Sequence, residues 1–214
     1  MKFYGYFRSS ASYRLRIALA LKGIPHEQAS IHLTRGGGEQ FAAEFRRLNP
    51  QELVPVIEDN GHILTQSLAI MEYLEETHPA PAILPKTPVE RARVRALSLI
   101  MACEMHPLNN LRVLTYLTKQ MGVSEDAKLA WYRHWIALGF TALEGLLAGH
   151  PNTGRFCHGD TPTMADICLV PQVFNAKRFD CPLEAYPTLM RIHDACQALP
   201  AFADAAPAKQ PDAE

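Results

Sequence analysis

His78-Pro79-Ala80-Pro81-Ala82-Ile83-Leu84-Pro85-Lys86-Thr87-Pro88 places four prolines in eleven residues. Proline lacks a backbone donor and resists helix interiors, so the stretch reads as a linker or crossing segment. It separates two halves of different pattern. Upstream, residues 2–7 are aromatic-rich and predict a strand. Ser9-Ser10-Ala11-Ser12 offers N-cap side chains for a helix over 13–22, which Gly23 can end. Residues 26–33 predict a second strand. Gly36-Gly37-Gly38 precedes a short helix near 39–48. Residues 54–57 and His62–Thr65 flank Asp59-Asn60-Gly61, a strong hairpin signal. Ser67 can cap a helix through Leu68, Met71 and Leu74. The order is β-α-β-α-β-β-α.

Downstream of the prolines the chain reads as nearly all helix. Helices are predicted over 89–105, 110–120, 125–147, 163–179 and 187–199, with a break at Pro107. Thr163 and Asp166 form a capping-box variant, and their role reads as structural. Residues 206–214 are polar and proline-containing and predict a frayed tail. The division is therefore 1–78, a 79–88 linker, and an all-helical 89–214.

Composition excludes several classes. The chain has 214 residues, 48% apolar and 20% charged, with a formal net charge of −1. Disorder needs lower hydrophobicity and higher net charge. Neither half is basic: residues 1–85 hold 8 basic and 9 acidic side chains, and residues 86–214 hold 13 of each. No footprint for nucleic acid or anionic lipid follows. No apolar run approaches the roughly 20 residues that span a bilayer. The opening residues lack a signal peptide's apolar stretch. Five cysteines with no C-x-x-C spacing argue against a disulfide framework or structural zinc. Free thiols in a reducing cytosol are expected, and no metal site.

Several segments carry a resemblance. Arg8-Ser9-Ser10-Ala11-Ser12-Tyr13-Arg14-Leu15-Arg16-Ile17-Ala18-Leu19 is similar to the signature of zeta-class glutathione transferases. Asn49-Pro50-Gln51-Glu52-Leu53-Val54-Pro55 and Gln66-Ser67-Leu68-Ala69-Ile70 resemble that class's glutathione site. His106-Pro107-Leu108-Asn109-Asn110-Leu111-Arg112-Val113-Leu114 and Val170-Pro171-Gln172-Val173-Phe174-Asn175-Ala176-Lys177-Arg178-Phe179 resemble its helical half. The resemblance covers nearly the whole chain. It implies an α+β fold: a thioredoxin-like N-terminal domain followed by an all-α glutathione transferase C-terminal domain. It also implies glutathione as cofactor, a homodimer with the active site near the interface, and a cytoplasmic enzyme.

Residue roles follow from residue type and resemblance together. A hydroxyl at a helix start sits among free N–H groups and the positive end of the dipole, where an anion is held well. A thiolate accepting such hydrogen bonds is favoured over the thiol. By type alone Ser9 and Ser10 serve equally as plain caps; the resemblance implies Ser9 as thiolate donor with Ser10 in support. Ala11 departs from the cysteine the family usually has there, and alanine cannot donate. Val54 and Pro55 resemble a cis-proline turn whose backbone pairs with the cysteinyl unit of glutathione. Gln66 and Ser67 resemble the pair that receives the γ-glutamyl carboxylate, and Gln40 a further contact. By type alone Gln40 is an exposed polar residue. His106, Asn110 and Arg112 resemble a segment that approaches glutathione, though His106 also reads as a helix-end histidine and Asn110 as a cap. Arg8 and Arg178 are candidates for a substrate carboxylate, which a guanidinium fork suits.

The implied reaction is glutathione-dependent cis–trans isomerisation of a cis-enone dicarbonyl acid. Reversible thiolate addition frees a double bond to rotate and leaves the thiol unconsumed. The expected conversion is 4-maleylacetoacetate to 4-fumarylacetoacetate, in phenylalanine and tyrosine breakdown. Maleylpyruvate isomerisation in gentisate breakdown and general glutathione transfer are alternatives. Some maleylpyruvate isomerases carry an arginine just before the Arg112 position, where this chain has Leu111. A non-catalytic glutathione-transferase-like binding module is a further reading; such modules often lose the hydroxyls and γ-glutamyl site retained here.

Overall fold

The computed structural model describes residues 1–214. The chain forms two compact units: Met1–Ile83 with Leu199–Glu214, and Leu84–Ala198.

The first unit is built on a four-stranded sheet of order β2-β1-β3-β4. Strand β1 (Lys2–Gly5) pairs parallel with β2 (Glu27–Ser30) and antiparallel with β3 (Val56–Asp59), which pairs antiparallel with β4 (His62–Thr65). The β3–β4 turn places Asn60 (φ 49°) and Gly61 (φ 79°) in the left-handed region that a tight two-residue hairpin requires. Helix α1 (Ser10–Lys22) ends at Gly23 in the left-handed conformation. Phe3, Leu15, Ile17, Leu19, Ile57, Ile70, Met71 and Leu74 form a core with no exposed side chain.

The structure differs from three expectations. The segment 39–48 is not one helix. It is a 3-10 turn, Glu39–Phe41, then α2 (Ala43–Leu48), with Ala42 extended between them. Ser67 is the first residue of α3 (Ser67–Thr77) rather than its cap; Gln66 holds the N-cap position. Residues 199–214 are not part of the helical unit and are not frayed. Short α9 (Pro200–Ala203) packs on α1, with Tyr13 Oη donating to the Phe202 carbonyl at 3.3 Å and Arg16 Nε to the Ala205 carbonyl at 2.9 Å. Polar residues with fixed partners are ordered as firmly as apolar ones.

The second unit is helical. Helix α4 (Pro88–Leu99) starts with Thr87 Oγ1 accepting from the Glu90 N–H, and continues as a π-helical segment, Ile100–Met105. The break at Pro107 leads to α5 (Leu111–Lys119), then α6 (Glu125–Leu147), α7 (Met164–Arg178) and α8 (Pro187–Gln197). Gly139 on α6 leaves the space that Met105 fills; a Cβ there would overlap the Met105 side chain. Twelve residues of α7 are buried, on every side of the helix, which makes it the unit's centre.

Candidate active site

In the first unit, a hydrogen bond from Arg14 to Ser67 links the second turn of α1 to the start of α3. Ser9 is the N-cap of α1, with extended φ/ψ (−68°, 121°). Its Oγ accepts from the Ser12 N–H at 3.2 Å, and its own N–H donates to the Tyr6 carbonyl at 3.0 Å. Ser12 Oγ in turn accepts from the Tyr6 N–H at 3.3 Å. Capping is thus one of Ser9's roles. No acidic side chain lies in the first turn of α1, so the positive end of its dipole has no internal counter-charge. Ser10 is buried, and Ala11 is 8% exposed. The Ala11 methyl adds no donor to this turn.

The second helix start is that of α3. Its first turn also lacks an acidic residue. Gln66 sits at φ 66°, ψ 111°, a left-handed φ that a non-glycine residue adopts only when its surroundings impose it. Its amide Nε2 donates to Gln51 Oε1 at 2.8 Å. Ser67 is buried, and its Oγ accepts from Arg14 Nη1 at 3.2 Å. That bond ties the second turn of α1 to the first residue of α3. Val54–Pro55 is a cis peptide. Val54 is buried and lies outside the β-ladder, which begins at Val56. Gln40 is buried rather than exposed. Its Nε2 donates to the Leu33 carbonyl at 3.2 Å, while its Oε1 is buried with no donor. Two uncompensated helix N-termini, an extended segment outside the ladder and an orphaned amide oxygen fit an extended peptide-like anion.

Arg8 projects from the loop between β1 and Ser9. Its Nε and Nη2 donate to Tyr6 Oη at 3.1 and 2.7 Å, and its guanidinium lies 5.0 Å from the Phe7 ring centre. The fork is held in place yet only partly buried, as a carboxylate receptor must be.

The other candidates lie in the second unit. His106 is half-buried at the end of the π-helical segment, its N–H donating to the Met101 carbonyl at 3.1 Å. Helix α6 anchors the turn that follows. Trp131 Nε1 donates to the Leu108 carbonyl at 2.9 Å, and Asn109 Nδ2 to the Tyr132 carbonyl at 3.2 Å. Asn110 is the cap of α5, its Oδ1 accepting from the Arg112 N–H at 3.1 Å, and Arg112 is exposed. Arg178 is exposed in the last turn of α7, its guanidinium 5.0 Å from the centre of the Phe179 ring. That ring stacks on Tyr132 at 3.9 Å, and burial holds the Tyr132 phenol well above its ordinary pKa. A small cleft of this unit is lined by Leu114, Tyr132 and Phe179 but by none of the predicted residues.

Sequence reasoning missed three supporting residues. Arg14 and Arg16 were given no role from the sequence, yet both are buried. Arg16 Nη1 and Nη2 donate to the Tyr6 and Phe7 carbonyls at 3.4 and 2.9 Å, and burial pulls its pKa down to about 10, still charged at neutral pH. Asp212 accepts from the Phe7 N–H at 3.1 Å. The one available signal was the basic pair Arg14 and Arg16 set into an otherwise apolar run.

Comparison with known proteins identifies the family of the chain. The model for the glutathione S-transferase N-terminal domain matches residues 8–77, and that for the C-terminal domain matches residues 136–204. A protein of Vibrio cholerae described as a probable maleylacetoacetate isomerase is 54% identical over 98% of this chain and 97% of its own length. The holo structure of a maleylpyruvate isomerase, a bacterial zeta-class glutathione S-transferase, superimposes with a TM-score of 0.97 at 50% identity over all of both chains. Maleylacetoacetate isomerase from Methylobacterium extorquens AM1, solved with malonate and glutathione bound, gives a TM-score of 0.96 at 41% identity over all of both chains. Matched in both halves by family models and end to end by these relatives, the chain belongs to the glutathione S-transferases, in their zeta class.

Proposed function

We propose that the protein is a glutathione-dependent cis–trans isomerase that converts 4-maleylacetoacetate to 4-fumarylacetoacetate. The observation that carries this is Ser9 at the uncompensated start of α1, joined through Arg14 and Ser67 to the equally uncompensated start of α3. Glutathione, when bound, supplies the thiolate whose reversible addition releases the substrate double bond for rotation. Ser9 donates its hydroxyl to the sulfur, supported by Ser10 and the first-turn N–H groups of α1. Val54 and Pro55 align the cysteinyl backbone, while Gln66, Ser67 and the α3 start hold the γ-glutamyl carboxylate, and Gln40 offers its orphaned oxygen. Arg8 takes a substrate carboxylate. On the family resemblance, Arg178 shares that task, and His106, Asn110 and Arg112 contribute to glutathione binding. A homodimer, a cytoplasmic location and a place in aromatic amino acid breakdown complete the proposal.

The relation to a maleylpyruvate isomerase at 50% identity favours maleylpyruvate as a second substrate. Leu111, where some of those enzymes have arginine, favours maleylacetoacetate as the first. The test is turnover of both acids side by side, with and without glutathione, in wild type and Ser9→Ala. Expected are fast glutathione-dependent isomerisation of maleylacetoacetate with the thiol recovered, and a loss on the order of 10²-fold in kcat for Ser9→Ala, as for removal of one preorganised donor. Thiol consumption, or no turnover of either acid despite glutathione binding, would overturn the isomerase reading. Full turnover by Ser9→Ala would overturn the serine assignment.

A further inference from the structure

Phe7 links the sheet to the two residues proposed to do chemistry, and it is held by Asp212, 205 residues further along the chain. Its carbonyl accepts from Arg16 Nη2 at 2.9 Å. Its N–H donates to Asp212 Oδ2 at 3.1 Å, and the same oxygen accepts from Ser30 Oγ at 2.9 Å. Both polar atoms of one peptide residue are thus fixed by side chains of other elements, while its ring is 4% exposed. The segment that carries Asp212 is itself secured. Phe202 and Pro207 are buried, Gln210 Nε2 donates to the Asp204 and Ala206 carbonyls at 3.0 Å each, and Glu214 Oε1 meets Arg35 Nη2 at 2.7 Å and His32 Nε2 at 3.1 Å.

We infer that Asp212 is a positioning residue for the reaction, fixing through the Phe7 backbone the loop from which Arg8 and Ser9 project. Arg8 rests on the Phe7 ring, and the Ser9 N–H bonds back to the Tyr6 carbonyl, so any movement of Phe7 moves both. Displacement of a reacting group by an ångström is costly to rate. The Phe7 ring is itself packed in a buried cluster with Tyr6, Phe45, Val54 and Val56, so stability is followed beside rate in the test. The inference rests on the proposed roles of Ser9 and Arg8.

The test compares wild type with Asp212→Ala, Asp212→Asn, Ser9→Ala and the Ser9→Ala/Asp212→Ala double variant. Isomerisation of maleylacetoacetate is followed against glutathione concentration and pH, with thermal unfolding in parallel. Expected for Asp212→Ala is a loss of about tenfold in kcat, with the acidic limb of the rate profile moved to higher pH and KM for glutathione changed less than about twofold. Asparagine keeps an oxygen that can accept from both Phe7 N–H and Ser30 Oγ, so Asp212→Asn recovers kcat to within about twofold of wild type. The double variant loses less than the product of the two single losses, because both changes act on Ser9 while Arg8 is disturbed by Asp212→Ala alone. A wild-type kcat and pH profile for Asp212→Ala, beside a slowed Ser9→Ala, overturns this inference alone. A wild-type profile for Ser9→Ala overturns the serine assignment and this inference with it. Equal slowing of Asp212→Ala and Asp212→Asn, in step with lost melting temperature, also overturns the inference. If Asp212→Ala does not fold, Ser30→Ala serves in its place: a slowed kcat with the shifted limb supports the inference, and wild-type kinetics overturn it.

Discussion

The ammonium of Lys22 is wholly buried, a position that lysine almost never takes without partners. It donates to Glu75 Oε2 at 2.7 Å and to the His78 and Pro81 carbonyls at 2.7 and 3.0 Å. The same Glu75 oxygen accepts from the Ile83 N–H at 3.0 Å. One ion pair thereby fixes the first half of the proline-rich stretch against α1 and α3. A buried pair is a weak source of net stability, but removing one member strands the other charge. Lys22→Met is therefore expected to cost about 3–5 kcal/mol, measured as a shift in urea midpoint. A cost under about 1 kcal/mol would mean that the pair behaves as an exposed one. Buried cations were also where residue-level reading failed. The N-cap serines and the Gly23 stop predicted the α1 helix, but not that Arg14, Arg16 and Lys22 are buried while Ala20 is exposed. Polarity alone cannot foretell burial when partners wait in distant loops.

Elements whose signals are local were legible, and those set by packing were not. The Asn60-Gly61 hairpin, the Gly23 stop and the long α6 each follow from neighbours in sequence. The π-helical run of 100–105 and the break at Ala42 do not, because Met105 against Gly139 and the buried Gln40 are tertiary contacts. The Thr163–Asp166 cap is the most local signal of all. Asp166 is fully buried, its Oδ2 accepting from the Thr163 N–H at 2.8 Å and Oγ1 at 2.9 Å, and its Oδ1 from the Cys157 N–H at 2.8 Å. It therefore starts the central helix and closes the loop before it. Asp166→Ala would leave two buried N–H donors unpaired, at about 1–3 kcal/mol each. The expected loss of about 2–6 kcal/mol should appear as a lowered denaturant midpoint with kinetics of the folded fraction unchanged. A loss below about 1 kcal/mol would mean that water replaces the carboxylate there.

At the scale of the whole molecule, the candidate site was legible in its parts because each part is a short motif. The place of residues 199–214 was not, since Asp212 and Glu214 meet Phe7, Ser30, His32 and Arg35 through single bonds that leave no periodic trace. Charge is balanced overall, so response to pH falls to individual groups that their surroundings shift. Two histidines of the second unit decide it near neutrality. Burial, with Lys177 nearby, lowers the pKa of His193 against the pull of Asp194. Burial and the Arg93 charge lower that of His158, whose Nδ1 accepts from Arg93 Nη1 at 3.3 Å and so needs a neutral ring. A folded pKa below the ordinary 6.5 means that the unfolded chain takes up protons first as pH falls. Their contribution is complete above that value and is lost on acidification through it. Glu90 and Glu214, held below the ordinary 4.5 by Thr87 and Arg35, extend the loss to lower pH. Melting temperature should fall between about pH 7.5 and about pH 5.5, and the fall should be shallower in His158→Gln/His193→Gln. The slope of the double variant is the quantity to compare, because it is independent of any constant cost of the substitutions. An unchanged slope would assign the acid sensitivity to other groups, and a rise in melting temperature on acidification would reverse the sign argued here.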